Sequence, residues 1–477
     1  MSYFLGIDIG TSSVKTSLVD HKGTVLAKAE YRNTTMQPLP NSAEQHADAD
    51  WWGGSAYGVK SCLEIAQIDP RQIKGISVCG MVPNLCPLDQ NGQEIRPAIL
   101  YRDGRAIEQV EFLTELMQLE FTTQDVAPKL LWLKENEPEN YAKISVVLNA
   151  HSYVVYRLTG QYSTDRDSAS IFGHVYDVNI GWNEERICRM GLQSSVLPPI
   201  YAPLDIVGYT QEEVADELGL VSGIPVIAGT GDSFTVLVGS GTVEKDAGVI
   251  YLGSAATLLS LEQSLDDLVD TLPFLTGDVR FIGNVLMGGT LVSWLSEQAM
   301  GGAKCQEELE AGAAEIPPGS EGLFFLPHLR GKRSPVPDEK ATGVIIGVRD
   351  NHDWRHFYRA ALEGVAYALR ESFEASNKQL ASLRLLGGGC RSAVWRSILV
   401  NVFGMKAGYS PTADNALGTA FMAGLATGEL QSYKQISEQW IIDMDLIEPD
   451  SHTQSVYERG YETYIALSEH ASHLNLE

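Results

Sequence analysis

The first twenty residues contain an apolar strand, a tight polar turn and a returning strand. Residues 3–9 form an apolar run whose one charge is Asp8, and a Gly-Thr-Ser-Ser turn separates it from an alternating run over residues 14–19. Glycine permits close backbone approach, and the turn offers several N–H groups and three hydroxyls, so it can cradle a phosphate. Asp8 stands at the mouth of the turn, where a carboxylate could hold a hydrated Mg²⁺. The alternative is an ordinary hairpin in which Asp8 caps its own turn.

The same plan recurs far along the chain. Residues 248–260 comprise an apolar strand, a Gly-Ser-Ala-Ala turn and a second apolar strand. Two phosphate-type hairpins in one chain predict two related halves that face one nucleotide. This doubled pattern resembles the ATPase fold of actin, Hsp70 and hexokinase, and the resemblance implies an α/β fold of two duplicated, ribonuclease H-like domains with an interdomain cleft. A Walker-type phosphate loop, G-x-x-x-x-G-K-[ST], does not occur in the sequence.

Composition narrows the class of partner. The chain has 477 residues, a length that predicts about three domains. Hydrophobic residues make up 44% of it, enough to supply substantial cores. Its 61 acidic and 35 basic residues give a net charge of −26. That charge argues against nucleic-acid binding and against anionic membrane surfaces, because phosphate groups need basic footprints.

The six cysteines occur singly, without a C-x-x-C pair or a matching histidine cluster. We interpret them as reduced, mostly buried thiols of a cytoplasmic protein. No basic n-region precedes the first strand, so no signal peptide is predicted. No run of about 18 uninterrupted apolar residues occurs, so no membrane span is predicted. The cysteines are Cys62, Cys79, Cys86, Cys188, Cys305 and Cys390.

The rest of the chain reads as alternating helices and strands. Residues 47–66 predict a helix, and residues 73–79 predict a short strand. A buried strand near residue 225 ends in a Gly-rich turn that presents Asp232. We place the domain boundary just after this turn, which predicts an N-terminal domain over residues 1–243 and a C-terminal domain over residues 244–477.

The order and spacing of several segments resemble the FGGY family of carbohydrate kinases over essentially the whole chain. Gln124 and Val126 depart from the residues that the family signature usually has at those positions. The resemblance is closest to xylulose kinases and implies an enzyme that uses ATP and Mg²⁺ to phosphorylate a sugar hydroxyl. The segments that carry it are residues 8–15, 129–138, 158–165, 343–364 and 386–404, the last followed by 414–424.

The resemblance also implies roles on the ATP side. Asp232 would be the catalytic base that accepts the proton of the attacking hydroxyl, and the alternative is an aspartate that caps its turn. Asp8 and Asp232 would hold Mg²⁺. Trp395 would lie beside the adenosine, with a place in the core as an equal alternative. The residues implied to bind ATP are Gly10, Thr11, Ser12, Lys15, Gly253, Ser254, Gly289, Gly388, Gly389 and Ser392.

The sugar side departs from the xylulose-kinase pattern. Those enzymes have a Gly-Gln-Met-His-Gly segment where this chain has Gly-Met-Val-Pro-Asn over residues 80–84, and the missing histidine puts xylulose in doubt. Asp103 is retained and is our candidate for binding sugar hydroxyls, with a salt bridge to Arg102 or Arg105 as the alternative. The residues implied to bind the sugar are Met81, Val82, Tyr101, Asp103 and Ser233.

We therefore expect a sugar kinase acting on a ketopentose such as D-xylulose, with other ketoses, polyols such as glycerol, or sugar acids such as gluconate as alternatives. Two rivals from other classes are an inactive sugar-sensing homologue and an Hsp70-like chaperone ATPase. The retained aspartates argue against the sensor, and the lack of an attached peptide-binding domain argues against the chaperone. A small-molecule sugar is the expected partner, and the family resemblance allows a homodimer.

Overall fold

A computed structural model of the chain describes residues 1–268, 273–299, 302 and 304–472. Within them the chain divides into two compact units. The first contains Met1–Gly239, Leu268–Thr276 and Asp414–Trp440, and the second contains Ser240–Asp267, Gly277–Ala413 and Ile441–Glu477. None of the helices in the described part has the length and apolar character needed to cross a bilayer.

Short strands alternate with helices through both units. The strands are β1 Tyr3–Ile9, β2 Ser13–Asp20, β3 Val25–Arg32, β4 Glu44–Gln45, β5 Ile73–Gly80, β6 Cys86–Leu88, β7 Ala98–Ile99, β8 Val146–Leu148, β9 Thr164–Asp165, β10 Tyr176–Asp177, β11 Gly181–Trp182, β12 Ile200–Tyr201, β13 Ile206–Tyr209, β14 Pro225–Ile227, β15 Thr230–Gly231, β16 Ala247–Leu252, β17 Ala256–Leu261, β18 Val279–Val285, β19 Phe324–Leu326, β20 Val344–Ile346, β21 Ser382–Leu386, β22 Ala407–Tyr409 and β23 Asp445–Ile447.

The helices are α1 Gly53–Ala66, α2 Ile107–Met117, α3 Val126–Asn136, α4 Pro138–Tyr141, α5 Ala150–Thr159, α6 Arg166–Ser170, α7 Glu184–Arg189, α8 Glu212–Leu218, α9 Asp232–Ser240, α10 Pro273–Thr276, α11 Gly289–Trp294, α12 Gln306–Glu315, α13 Trp354–Ala375, α14 Ala393–Phe403, α15 Asn415–Ala426 and α16 Ser451–Ser472. The predicted helix over residues 47–66 is α1, preceded by wider helical turns over Ala47–Trp52.

The sheet of the first unit has the order β13-β14-β5-β1-β2-β3, and β15 also pairs with β5. Strands β1 and β2 form the predicted antiparallel hairpin, whereas β1 and β5 run parallel. Every residue of β1 is buried, as expected for a strand that is apolar along its whole length. Helix α15 packs on β1 and β5. This helix comes from the last quarter of the chain, so the first unit is built from distant segments.

The second unit repeats this plan. Its sheet has the order β18-β17-β16-β21-β22-β23, in which β16 and β17 form an antiparallel hairpin and β16 runs parallel to β21. Helices α13 and α14 contribute to the apolar core beside this sheet. The prediction of an α/β chain with two related hairpins is therefore confirmed. The predicted domain division after residue 243 lies close to the first change of unit, at Gly239 and Ser240.

Gly6→Ala tests the contact between β1 and α15. A Cβ atom on Gly6 would overlap the backbone oxygen of Ala416 and the backbone nitrogen of Ala420. We expect Gly6→Ala to lower the free energy of unfolding by at least about 2 kcal/mol, because neither backbone atom can move without displacing the helix. Chemical denaturation measures this loss. Gly53→Ala is the matched control, since its Cβ would lie 3.5 Å from the nearest atom, the oxygen of Asp48. Equal stability of the two variants would contradict the close packing.

Candidate active site

Asp8 lies near the end of β1, where its side chain is buried. Strand pairing places it opposite Lys15 on β2 and Cys79 on β5. The Cys79 thiol donates a hydrogen bond of 3.5 Å to Asp8 Oδ1. Burial raises the pKa of Asp8 to about 6, while the charge of Lys15 opposes this rise and the charge of Asp414 adds to it. A buried carboxylate with a raised pKa gains from any added cation.

Asp232 is the first residue of α9 and follows strand β15 directly. Strand β15 runs parallel to β5 with Thr230 opposite Cys79, the same residue that Asp8 faces from β1. The ends of β1 and β15 therefore reach one edge of the sheet. Burial, and then the negative charge of Asp8, raises the pKa of Asp232 to about 7. Hydrogen bonds from the backbone and side chain of Ser233 act in the opposite direction.

The two carboxylates fit a divalent cation. Asp232 feels the charge of Asp8, so the site concentrates negative charge where burial already disfavours it. A cation bound between two such groups would lower the pKa of both. Carboxylate oxygens are also the protein ligands that Mg²⁺ takes. The residues present thus have the donor chemistry that magnesium requires.

The first polar turn is held by side-chain amides. Asn33 Nδ2 donates to Gly10 O over 2.8 Å, and Gln45 Nε2 donates to Thr11 O over 2.7 Å. Ser12 is exposed, whereas Thr11 is half-buried. The Thr11 hydroxyl lies 3.4 Å from the Tyr101 hydroxyl and 3.6 Å from the sulfur of Met81. This contact joins a residue predicted to bind ATP to two residues predicted to bind the sugar.

The segment after β5 packs against the turn that carries Asp232. A Cβ atom on Gly231 would lie 2.5 Å from Val82 Cγ2, so the glycine allows Val82 to approach. Asn84, which is fully buried, donates to Met81 O over 2.6 Å and accepts from the backbone N–H of Tyr101 over 3.0 Å. Asn84 therefore fixes the two predicted sugar-side segments to each other. Its role was missed because an asparagine between two prolines reads as an ordinary turn residue.

Asp103 is engaged by its neighbour. Its carboxylate is fully buried and accepts hydrogen bonds of 2.8 Å from both Nε and Nη2 of Arg105, with a further bond of 2.6 Å from the backbone N–H of Ala43. This geometry favours the salt-bridge alternative over direct sugar binding. Lys129, also fully buried, lies near this ion pair and donates to Gln124 O over 2.8 Å. Burial lowers the pKa of Lys129 to about 7.

In the second unit, the turn between β16 and β17 contacts the start of α11. Gly289 N–H donates to Gly253 O over 2.8 Å, and the Thr290 hydroxyl donates to Ser254 O over 2.8 Å. A Cβ atom on Gly289 would lie 2.7 Å from Gly253 O. The structure thus brings together the predicted ATP-binding residues Gly253, Ser254 and Gly289.

The glycines after β21 approach the same hairpin. Gly387 has a φ of 102°, and a Cβ atom there would lie 2.5 Å from Leu252 O. A Cβ atom on Gly388 would meet nothing within 4 Å among the described residues. Ser392 caps α14 by accepting a hydrogen bond of 2.9 Å from the backbone N–H of Trp395, and Trp395 is buried in the core. Of the two positions considered for Trp395, beside the adenosine or in the core, the structure shows the core position.

Comparison with known proteins identifies the family. The N-terminal domain of the FGGY family of carbohydrate kinases matches residues 3–239, and its C-terminal domain matches residues 272–427. The chain belongs to the FGGY family of carbohydrate kinases. The family resemblance carried by the sequence motifs is therefore confirmed.

Named relatives of this FGGY kinase are similar over their full length. It is 28% identical to the xylulose kinase of Bacillus subtilis (strain 168), covering 100% of this chain and 98% of that enzyme. It is also 28% identical to the xylulose kinase of Escherichia coli (strain K12), covering 97% and 98% of the two chains.

Two solved structures from Lactobacillus acidophilus share its fold, each with a TM-score of 0.83. They are a gluconate kinase, at 21% identity and covering 99% and 98% of the two chains, and a ligand-bound xylulose kinase, at 22% identity and covering 99% of both.

The raised pKa of Asp8 predicts a pH-dependent stability difference for Asp8→Asn. In metal-free and nucleotide-free buffer, the unfolded aspartate loses its proton near pH 4, whereas the folded one keeps it to about pH 6. Wild-type stability should therefore fall as pH rises through this window, and the neutral asparagine should not follow it. We expect Asp8→Asn to gain on the order of 2 kcal/mol relative to wild type between pH 4.5 and 8 in chemical denaturation.

The matched control is Asp216→Asn on α8, an exposed position. Its stability relative to wild type should stay constant over the same range. A difference between Asp8→Asn and wild type that does not change with pH would contradict the raised pKa.

Proposed function

We propose that this FGGY kinase transfers the γ-phosphoryl group of ATP to a hydroxyl group of a sugar, and that a ketopentose such as D-xylulose is its substrate. The observation that carries the proposal is the convergence of Asp8 and Asp232 at one sheet edge, beside Thr11. Phosphoryl transfer depends mainly on positioning and electrostatics, with a base for the attacking hydroxyl. This edge offers the matching groups.

In the proposed reaction, Asp232 accepts the proton of the sugar hydroxyl while the hydroxyl oxygen attacks the γ-phosphorus and ADP departs. Burial raises the pKa of Asp232 towards the working pH, which makes its carboxylate a more effective base, while a bound cation would lower this pKa and keep the carboxylate deprotonated. Ser233 keeps the carboxylate oriented through its hydrogen bonds. Asp8 and Asp232 would hold Mg²⁺, which would supply positive charge to offset the charge of the phosphates.

The two polar turns divide the proposed contacts with ATP. In the first unit these contacts come from Gly10, Thr11, Ser12 and Lys15, whose backbone amides and single charge supply local positive potential to a chain of net charge −26. In the second unit they come from Gly253, Ser254, Gly289, Gly388, Gly389 and Ser392. The open space beside Gly388 supports a close approach of the nucleotide to the backbone there.

The choice of sugar rests on the residues around Thr11. We propose that Met81, Val82 and Tyr101 face the sugar, because Thr11 contacts Met81 and Tyr101, and Val82 abuts the residue before Asp232. Relatives named xylulose kinase support a ketopentose. Val82 and the following proline stand where the xylulose-kinase pattern has methionine and a histidine that could hydrogen-bond to the sugar. We assign Asp103 a positioning role through Arg105, since Arg105 and the backbone already bind its carboxylate. Other ketoses, polyols and sugar acids are the alternatives.

A substrate panel tests the proposed function. We expect ADP release with ATP and Mg²⁺ to accelerate strongly with a ketopentose, and D-xylulose comes first in the panel. Faster turnover with gluconate, glycerol or another sugar would keep the kinase and replace the ketopentose. ADP release at the same rate with every sugar and without sugar would contradict the proposal and favour the chaperone alternative. No ADP release with any compound would contradict it too and favour the sensor.

Replacement of Asp232 by asparagine tests the catalytic base. We expect Asp232→Asn to retain ATP binding and to lower kcat by about 10²–10⁴-fold, because the amide cannot accept the hydroxyl proton. Isothermal calorimetry with ATP and a coupled assay measure the two quantities. Asp216→Asn, on the exposed face of α8, should behave as wild type in both. Full activity of Asp232→Asn would exclude the assigned role.

A further inference from the structure

Two histidines and a glutamate of the second unit meet at the start of α13. Glu321 lies in the turn before β19, His352 lies just ahead of the helix, and His356 lies in its first turn. One nitrogen or carboxylate oxygen of each residue lies within 4.8 Å of those of the other two. None of the three has a role in the proposed phosphoryl transfer.

The turn that carries Glu321 is held in an unusual conformation. Ser320 and Glu321 have φ angles of 47° and 53°, which lie in the left-handed region that residues other than glycine rarely adopt. The buried carboxylate of Glu363 holds this turn, because it accepts hydrogen bonds of 3.0 Å from Gly319 N–H and 2.9 Å from the Ser320 hydroxyl. Glu363 belongs to the same helix as His356. The helix therefore fixes both the histidine and the backbone from which Glu321 projects, and strain of this kind is concentrated at functional positions.

His356 is oriented as a metal ligand would be. Its Nδ1 atom lies 3.0 Å from Asp353 Oδ1, and the other carboxylate oxygen of Asp353 binds Arg355. The backbone N–H of Asp353 also donates to this Nδ1 atom over 3.1 Å in the capping box of α13. When the ring proton moves to Nδ1, it donates to Asp353 Oδ1 in place of that backbone contact, and Nε2 then turns a lone pair towards Glu321. A histidine supported in this way by a carboxylate is the usual arrangement at protein metal sites.

The spacing of the ligand atoms suits a shared ion better than a direct bond. His356 Nε2 and Glu321 Oε2 are 3.6 Å apart, which is long for a hydrogen bond. Two ligands of a tetrahedral zinc ion, each about 2.0–2.1 Å from the metal, stand roughly 3.3–3.4 Å apart. Small rotations of the glutamate side chain would close this difference. Asn351 Nδ2 already orients the same oxygen of Glu321 over 3.2 Å.

His352 supplies the third donor. Its Nε2 atom is buried and has no hydrogen-bond partner in the described part of the chain. Its Nδ1 atom lies 3.2 Å from the backbone N–H of Arg349, and its ring stacks on that of His356 with 4.8 Å between centroids. A metal ion bound at Nε2 would give this buried atom a partner. Nε2 can bind the ion only when the ring proton is on Nδ1, and that tautomer loses the hydrogen bond that Nδ1 accepts from Arg349.

We propose that Glu321, His352 and His356 form a binding site for a divalent transition-metal ion, and that Zn²⁺ fits this set of donors. Two imidazole nitrogens and one carboxylate oxygen are ligands that zinc accepts, whereas Mg²⁺ prefers oxygen donors throughout. The Glu321 side chain is 42% exposed, so water can enter and complete the coordination. The bound ion ties the Glu321 turn to the start of α13 and acts as a structural clamp.

Zinc binding to the tag-free, full-length protein tests this site. We expect wild type to take up one Zn²⁺ per chain in competition with a chromophoric zinc chelator, and to unfold at a higher temperature with zinc present. Glu321→Gln and His352→Asn should each weaken binding by at least 10-fold and lose most of the thermal shift. His356 is left intact because it also takes part in capping α13. His452→Asn on α16, an exposed position, is the matched control and should bind as wild type does.

Two further readouts separate this site from the kinase centre. Co²⁺ in place of zinc should give the visible absorption of a four-coordinate site in wild type and not in Glu321→Gln. Sugar phosphorylation at saturating Mg²⁺ should be the same in both proteins. The proposal is overturned if wild type shows no saturable zinc binding, if Glu321→Gln and His352→Asn bind as tightly as wild type, or if Mg²⁺ produces a thermal shift that these two variants lose.

Discussion

The parallel pairing of β1 and β15 with β5 is the constraint on which the candidate active site depends. Parallel strands end at the same edge of a sheet, and ligands bind at that edge in folds of this kind. Cys79 on β5 faces Asp8 on one side and Thr230 on the other. The two aspartates, the Thr11 turn and the segment after β5 therefore gather without any long side chain having to reach across the sheet.

This arrangement opposes folding while it favours binding. Burial raises the pKa values of Asp8 and Asp232, and the charge of Asp8 adds to the rise at Asp232, so the folded protein binds protons at pH values where the unfolded chain has released them. A cation at the same place removes the repulsion and is held more tightly for it. The loss of stability and the affinity for a cation both result from burying Asp8 and Asp232 close together. The packing of α15 on the sheet helps to offset the loss of stability.

Local patterns predicted the features that depend on neighbouring residues. The two hairpins and the turn that presents Asp232 are each encoded in one short, continuous run of sequence, and the period of the apolar residues indicates each one. Asp103 differs, because its engagement by Arg105 and Ala43 depends on how two loops pack, and the sequence left the salt bridge as an open alternative. The return of α15 to the first unit could not be predicted, since an apolar helix carries no sign of which sheet it will cover.

The cluster of Glu321, His352 and His356 at the start of α13 also could not be predicted from local sequence patterns. Glu321 is separated from His352 by 30 residues, far more than the roughly two to five residues that separate paired ligands in zinc motifs. The signal that could have found it is the pair His352 and His356, four residues apart. That signal is ambiguous, because His352 precedes the helix and the pair does not share a helical face. The third donor, Glu321, is brought to the histidines by the left-handed backbone of the turn at Ser320 and Glu321, which only the structure reveals.

The late position of α15 has a consequence for synthesis. Phe4 on β1 and its strand partner Gly75 on β5 lie against Gly424 and Ala423, which leave the ribosome long after both strands. A nascent chain that ends before residue 414 has paired strands whose apolar face is still open to water. Such an intermediate needs shielding until translation nears its end, so the rate of elongation and the supply of chaperones should influence the yield of this protein more than the stability of its finished fold would indicate.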